Sequence, residues 1–433
     1  MNRYIPKEMC PCEEGYGAHF AYSESIPVEN TLLQRDQVVQ TPEYGIQQGA
    51  PMDFIFLPYE NDFMDMASLH GEVTFRITKE NKHVKDSDPV SVCNNMFDSL
   101  FKSIETRVND HLLSSSSGEM YFIKAYMHNI LTLEPENPGL EAMGLFPYDE
   151  DTSLYFDLKK NKNFKRAHNI IAKGEDVTVS GPLVLDIAGI NNYLAPGNKV
   201  ALRATTINKD FFINATKTSP PVNWGLEVTS VKIFLDYIRV MPEKLFLLLS
   251  PGREQVYLTN HTDITPIQVA KGTRYLHHIL VSQSHLPKFL VIGIMQTSAL
   301  AGNDNQEGLY FRNKFVSSIQ VTVNGTEYPS LPMHPKSNRA YYHLLMNTGR
   351  TATRASSFIT PGNFKKGYSL RVYDFTPDGC GMSHTHIGKM GDLSLDIEWS
   401  ENTDDHFTVL CMMTHHQIIK INPTTNQVTT KVF

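Results

Sequence analysis

Nothing in this chain stays apolar for long. The longest such run, "FLVIGIM" at Phe289–Met295, falls far short of the roughly 18 residues a membrane-spanning helix needs. The opening stretch, "MNRYIPKEMCPCEEGYG", has no apolar core of the kind a secretory signal carries, so none is expected. Cysteine is scarce and odd in number, five in 433 residues, which argues for a reducing compartment over a disulfide scaffold. Three Asn-x-Thr sequons, at Asn214, Asn260 and Asn324, would then go unused, since they matter only on a secretory route. Positive charge is also in short supply: 39 Lys and Arg face 46 Asp and Glu, a formal net charge of −7. Through Ala50 the basic residues are only Arg3, Lys7 and Arg35, outnumbered by acidic ones. A protein that coats DNA through its own arm shows the opposite bias. The single basic cluster, "KKNKNFKR" at Lys159–Arg166, has only Phe164 as an interleaved aromatic and reads as a solvated loop.

Catalytic signatures are missing as well. Phosphate-binding G-x-x-x-x-G-K-[ST], zinc-binding H-E-x-x-H and the G-x-S-x-G elbow do not occur. The best candidate is "GCGMSHTHIGKMGD", where His384 and His386 could offer two metal ligands from one strand, as in cupins. A cupin needs a Glu three or four residues later, and here the next carboxylate is Asp392. His406, His415 and His416 could add a ligand, yet no spacing ties them to the pair, and the stretch reads as a polar surface loop. Cys10 and Cys12 lack a second Cys/His pair nearby. Cys380 lies near histidines, but no oriented third partner can be named. The expectation is therefore no catalytic residue, no cofactor-binding residue and no metal ligand.

What the chain does have is a long internal echo. "SIETRVND" at Ser103–Asp110 returns as "SIQVTVNG" at Ser318–Gly325. "KAYMHNIL" at Lys124–Leu131 returns as "RAYYHLLM" at Arg339–Met346, displaced along the chain by the same amount. A shared offset of nearly half the chain means a duplicated domain, far too long a period for a solenoid. Ser103 should superpose on Ser318 and Tyr126 on Tyr341. Each copy is long enough to bury its own core, and Gly and Pro, at 26 and 24 residues, are near their average share, which argues against extensive disorder.

Period-2 alternation marks half-buried strands. Val73, Phe75 and Ile77 alternate with polar neighbours, as do Ile319, Val321 and Val323, and Leu393, Leu395, Ile397 and Trp399. Asn324-Gly325 is a strong hairpin signal, and Asn109-Asp110 holds the matching place. Phe122, Tyr126 and Ile130 fit either a short helix or a strand, and "NNMFDSLF" reads as an Asn-capped helical turn. The repeated His128 and His343 sit among apolar residues and read as core or interface histidines. Frequent Gly/Pro turns with few helices predict an all-β sandwich or barrel. The boundary between copies falls near "LLLSPGRE", where an apolar strand end meets Pro251-Gly252.

Ordered blocks then carry a resemblance. "LPYENDFMDMASLHGEVTFRI" (Leu57–Ile77), "NNMFDSLFKSIETRVNDHLLSS" (Asn94–Ser116) and "YFIKAYMHNILTL" (Tyr121–Leu133) resemble the first half of the double jelly-roll major capsid proteins of Polinton/Maverick elements, adintoviruses and virophage-like viruses. "RNKFVSSIQVTVNGTEYPS" (Arg312–Ser330), "GYSLRVYDFTPDG" (Gly367–Gly379) and "GDLSLDIEWSENTDDHFTVLCMM" (Gly391–Met413) resemble the second half. The resemblance, which runs from about Gly45 to Asn422, implies two tandem eight-stranded jelly rolls with short helices in the loops, a first over 45–250 and a second over 251–433; residues 1–44 match no part of that family and read as an N-terminal arm. It also implies a non-enzymatic homotrimer, a pseudo-hexagonal capsomer that tiles an icosahedral shell around double-stranded DNA. Neighbouring capsomers, penton and minor capsid proteins would be its partners, without sequence-specific nucleic acid binding. Its place would be the virion, assembled inside the host cell. A bicupin-like metalloenzyme and a glycan-binding or glycan-processing paired jelly roll are the competing readings.

Overall fold

A computed structural model of the protein describes residues 31–433, apart from 48, 60, 114–119, 148–155, 157, 160, 173, 191, 217–221, 250–252, 304–305, 352–355, 380–385 and the side chains of 246–248. The first half contributes β1 (Leu32–Gln40), β2 (Pro51–Phe56), β3 (Asp62–Lys79), β4 (Lys82–His83), β5 (Val90–Val92), β6 (Phe101–Val108), β7 (His111–Leu112), β8 (Val177–Pro182), β9 (Val200–Thr206), β10 (Ile213–Ala215) and β11 (Trp224–Val240). The second contributes β12 (Gln255–Val269), β13 (Tyr275–His285), β14 (Phe289–Gln296), β15 (Val316–Val323), β16 (Thr326–Tyr328), β17 (Arg371–Asp374), β18 (Met390–Trp399), β19 (Phe407–Ile421) and β20 (Val428–Val432). Short helices fill the connections: α1 (Met96–Ser99), α2 (Tyr121–Thr132), α3 (Gly139–Met143), α4 (Lys162–Ile171), α5 (Lys209–Phe212), α6 (Pro242–Leu248), α7 (Thr297–Leu300), α8 (Asn338–Asn347) and α9 (Pro361–Phe364).

Pairing makes the duplication explicit. The first half has sheets ordered β1-β11-β3-β8 and β2-β9-β6-β7; the second has β12-β19-β14-β17 and β13-β18-β15-β16. Leaving aside the small β4, β5, β10 and β20, both halves share one pattern. Their first, eighth, third and sixth strands form one sheet, and the second, seventh, fourth and fifth form the other. That is the jelly-roll order, two antiparallel sheets closing over a common core. β15 follows β6 by the repeat offset at both ends, Phe101 matching Val316 and Val108 matching Val323, so Ser103 and Ser318 fall on the same strand. Tyr126 and Tyr341 fall on α2 and α8.

Alternation sets the register as expected: Val73, Phe75, Ile77, Ile319, Val321, Leu393, Leu395, Ile397 and Trp399 are all buried. β14 behaves differently, with every one of its residues buried. Ile292 and Ile294 face the second sandwich's own core, while Val291 and Met295 join a larger core running in from the first half. A strand covered on both faces reads as a continuous apolar run, which accounts for "FLVIGIM".

One open reading is decided and three others are corrected. The repeated second element is a helix in both copies. The basic stretch Lys159–Arg166 runs into α4 instead of remaining a loop: Asn161 caps it by accepting from the Phe164 N–H at 2.9 Å. Phe164, Ala167, His168 and Ile171 supply its buried stripe. The apolar run before Pro251-Gly252 is the helix α6, begun by Pro242, and no strand. The segment up to Tyr44 includes β1, which pairs along β11 from Leu32↔Val240 to Gln40↔Ile233 and holds the edge place that β12 holds in the second half.

The junction of the two sandwiches

The described residues bring the two sandwiches together through α2. Its buried side chains are Tyr121, Phe122, Ile123, Ala125, Tyr126, Met127, Asn129 and Ile130, nearly all round the helix. That pattern belongs to a helix packed on several sides. Tyr126 reaches the second half, stacking on Phe311 at 5.9 Å between ring centroids and lying 6.4 Å from Tyr368. At the end of α2, Arg350 of the second half donates to the carbonyl of Thr132 at 2.5 Å. A cation that hydrogen-bonds the last carbonyls of a helix also complements its dipole.

Polar groups tie the remaining boundary. Asp186 accepts from Lys124 at 2.6 Å within its own half and from the Thr262 N–H of β12 at 3.2 Å. The Ala195 N–H donates to the Tyr257 hydroxyl at 3.0 Å, and Asn198 donates to Gln255 at 3.1 Å. Asn214 donates to Glu307 at 3.3 Å; being buried, its sequon is closed to a glycosyltransferase in the folded chain. Beside Asn214 and Glu307 lies a small, half-open pocket of ≈ 20 Å³, lined also by Ser91, Asn94, Phe146 and Phe164. It has room for about one water molecule.

Beneath α2 sits a buried carboxylate. Asp98 accepts from the Tyr121 hydroxyl and from Asn129, both at 2.8 Å. Burial pushes its pKa up to about 6, against the opposing pull of those hydrogen bonds. His128 and His343 occupy matching, half-buried places on α2 and α8, and burial lowers each to about 4. His343 is partnered by the Asn347 side chain at 2.9 Å.

Of the histidines weighed as metal ligands, the described residues bring together only His386 and His416, whose rings stack at 6.5 Å between centroids. His384 and Cys380 lie outside the described residues, as do Cys10 and Cys12. His386 pairs with Asp378 at 2.9 Å, and its backbone N–H donates to His416 Nε2 at 3.2 Å. His415 and His416 are successive on β19 and so point to opposite faces. His406 stands just before the far end of that strand, roughly 30 Å from His416 at the usual rise per residue. Among the described residues no three His, Cys, Asp or Glu side chains gather in reach of one ion. Sequence reasoning missed the junction residues Asp186, Glu307, Phe311, Arg350 and Tyr368. Each is an isolated polar or aromatic residue in a connection, and only the repeated Tyr126/Tyr341 pair hinted at that surface.

Solved structures share this arrangement along nearly the whole chain. A structure of the Sputnik virophage matches with a TM-score of 0.63 at 10% identity, covering 94% of this chain and 90% of that one. The Faustovirus major capsid protein matches at 0.58 and 10% identity, over 92% and 91%. The mavirus major capsid protein matches at 0.55 and 11%, over 96% and 94%. The fold is the double jelly roll of viral major capsid proteins. No family model matches the sequence. Among curated proteins, an uncharacterized protein of Caenorhabditis elegans is 22% identical over 399 residues, covering 87% of this chain and 93% of its own.

Proposed function

We propose that this protein is a major capsid protein whose trimer forms a pseudo-hexagonal capsomer and tiles an icosahedral shell around double-stranded DNA. One observation carries the reading: two jelly rolls of identical strand order, fused side by side through α2, match capsid proteins end to end. Three such chains present six like sandwiches around an axis, and cyclic symmetry makes every interface the same. The net charge of −7 supports an inner surface that encloses DNA without gripping it. Neighbouring capsomers, penton and minor capsid proteins are the partners, and the virion, assembled inside the host cell, is the location. The ordered blocks from Leu57 to Met413 that resemble the Polinton/Maverick proteins support that lineage as the source.

The proposed division keeps a second jelly roll from residue 251 and moves the start of the first back to β1. The part of the arm before Leu32 is assigned to ties between neighbouring capsomers, so its deletion should weaken shell formation more than trimer formation. Sedimentation velocity of the full-length protein tests the reading. It should run as a species of three times the 49.0 kDa chain, and shells should appear by electron microscopy as concentration rises. A stable monomer at micromolar concentration under every salt condition would overturn it.

A further inference from the structure

We infer that the exposed face of α8 docks against helices α3 and α4 of a second copy of the chain, repeating between subunits the contact that α2 makes within one. The inference rests on the capsomer reading and goes beyond it by naming the two surfaces. Its starting point is a mismatch between equivalent residues. Met127 is 0% exposed on α2, and Leu131 is partly buried against the core. Their counterparts at the repeat offset, Tyr342 and Met346, are 56% and 50% exposed. These two lie one turn apart on the same side of α8, with Leu331 exposed in the stretch leading to the helix. Only Ala340 and Leu344 of α8 are buried.

Within the chain, the helix-bearing side of the first sandwich meets the second sandwich. In a ring of alternating halves, the same side of the second sandwich must meet the first sandwich of the next chain, or the ring does not close. The receiving surface follows from the repeat. Phe311, which receives Tyr126, corresponds to Met96 at the repeat offset. Met96 is covered by the start of the α2–β8 connection: a Cβ on Gly144 would lie 2.7 Å from its side chain. Gly144 closes α3, and the Arg166–Glu141 ion pair at 2.7 Å ties α4 to α3, so these two helices form the surface beside Met96. Ile170 of α4 is an exposed apolar residue of that surface, and Arg166 lies over the Phe146 ring at 4.2 Å.

The test uses the full-length protein with both Tyr342→Glu and Met346→Glu. Both side chains are half exposed, so the melting temperature should stay near the wild-type value while trimer association weakens at least about tenfold in sedimentation equilibrium. A variant as trimeric as the wild type would overturn the inference and leave the capsomer reading standing. A monomeric wild type would overturn both. Should the variant melt early, a second measurement decides. Benzoylphenylalanine replaces Tyr342 in oligomers mixed from isotopically heavy and light chains. Heavy-to-light adducts on peptides of α3 and α4 are the expected result. Adducts confined to one chain, or falling on the second sandwich of another, would overturn it.

Discussion

Helices α2 and α8 are two copies of one element, yet they rest on different supports. α2 has no side chain capping its first turn, and packing holds it on nearly every side. α8 buries two residues and begins with a built cap, Ser337 accepting from the Ala340 N–H at 3.1 Å. Short helices are marginal by propensity alone and draw their stability from packing or capping. The two copies are thus suited to two environments: the first has no side-chain cap and is apolar nearly all round, while the second has a cap and an exposed face. Tyr126 and Tyr341 show the divergence in one residue type. Tyr126 is fully buried between the sandwiches, whereas Tyr341 is half-buried, donating to the Ile359 carbonyl at 2.9 Å and packing on Phe364.

Replacing each tyrosine by alanine should separate the two environments most strongly. Tyr126→Ala empties a site at the centre of the shared core, and large-to-small changes of that kind cost about 3–5 kcal/mol. Tyr341→Ala loses a half-buried ring and one hydrogen bond, for roughly 1–2 kcal/mol. Urea denaturation of both variants checks the pair. Equal losses would mean that the junction is no better packed than the outer face of α8.

A second contrast lies under the helices. Asp98 of the first copy corresponds to Asn313 of the second, a neutral amide that donates to Ser369 Oγ at 2.8 Å. Asp98→Asn would make the first copy resemble the second. A carboxyl raised to about 6 in the fold contributes stability that is complete below its ordinary value near 4 and is lost as pH rises through 6. Wild-type stability should therefore fall, by something on the order of 3 kcal/mol at this site, between pH 3.5 and 7.5. The variant should lack that component, so its stability relative to wild type should improve towards neutral pH. Parallel stability-versus-pH curves for the two proteins would refute the assignment.

The same comparison marks how far the sequence could be read. Strand alternation at Val73–Ile77 and Leu393–Trp399 is local information, and it placed those strands and their buried faces. The constant offset between the two echoes links β6 with β15 and α2 with α8 from the sequence alone. The choice between helix and strand at Phe122–Ile130 was not readable, because an element buried all round loses the one-sided pattern that distinguishes them. β1 was hidden for the opposite reason: it is an edge strand with mostly exposed residues, so it carries little alternation. The junction was the least legible part. Asp186, Glu307 and Arg350 act across sequence separations that no local pattern records.

The hairpins after β6 and β15 give the finest test of the two copies. Both turns hold two residues at positive φ, Asn109 and Asp110 at 46° and 65°, Asn324 and Gly325 at 50° and 79°. This is the geometry of two-residue hairpins, and glycine adopts it without the Cβ conflict that other residues meet. A Cβ at Gly325 would find no atom within 4 Å, so any penalty there comes from the backbone alone. Gly325→Val should cost roughly 1–2 kcal/mol, since a β-branched residue resists positive φ. In the first copy Asp110 already bears part of that strain, and Asp110→Gly should recover about 0.5–1 kcal/mol. It gives up the 2.6 Å ion pair with Lys199, but Asp110 is well exposed and such surface pairs contribute little. Urea midpoints should thus move in opposite directions for the two variants. A neutral Gly325→Val would mean that the second turn relaxes into another type, and a destabilising Asp110→Gly would mean that the aspartate holds its turn by contacts rather than straining it.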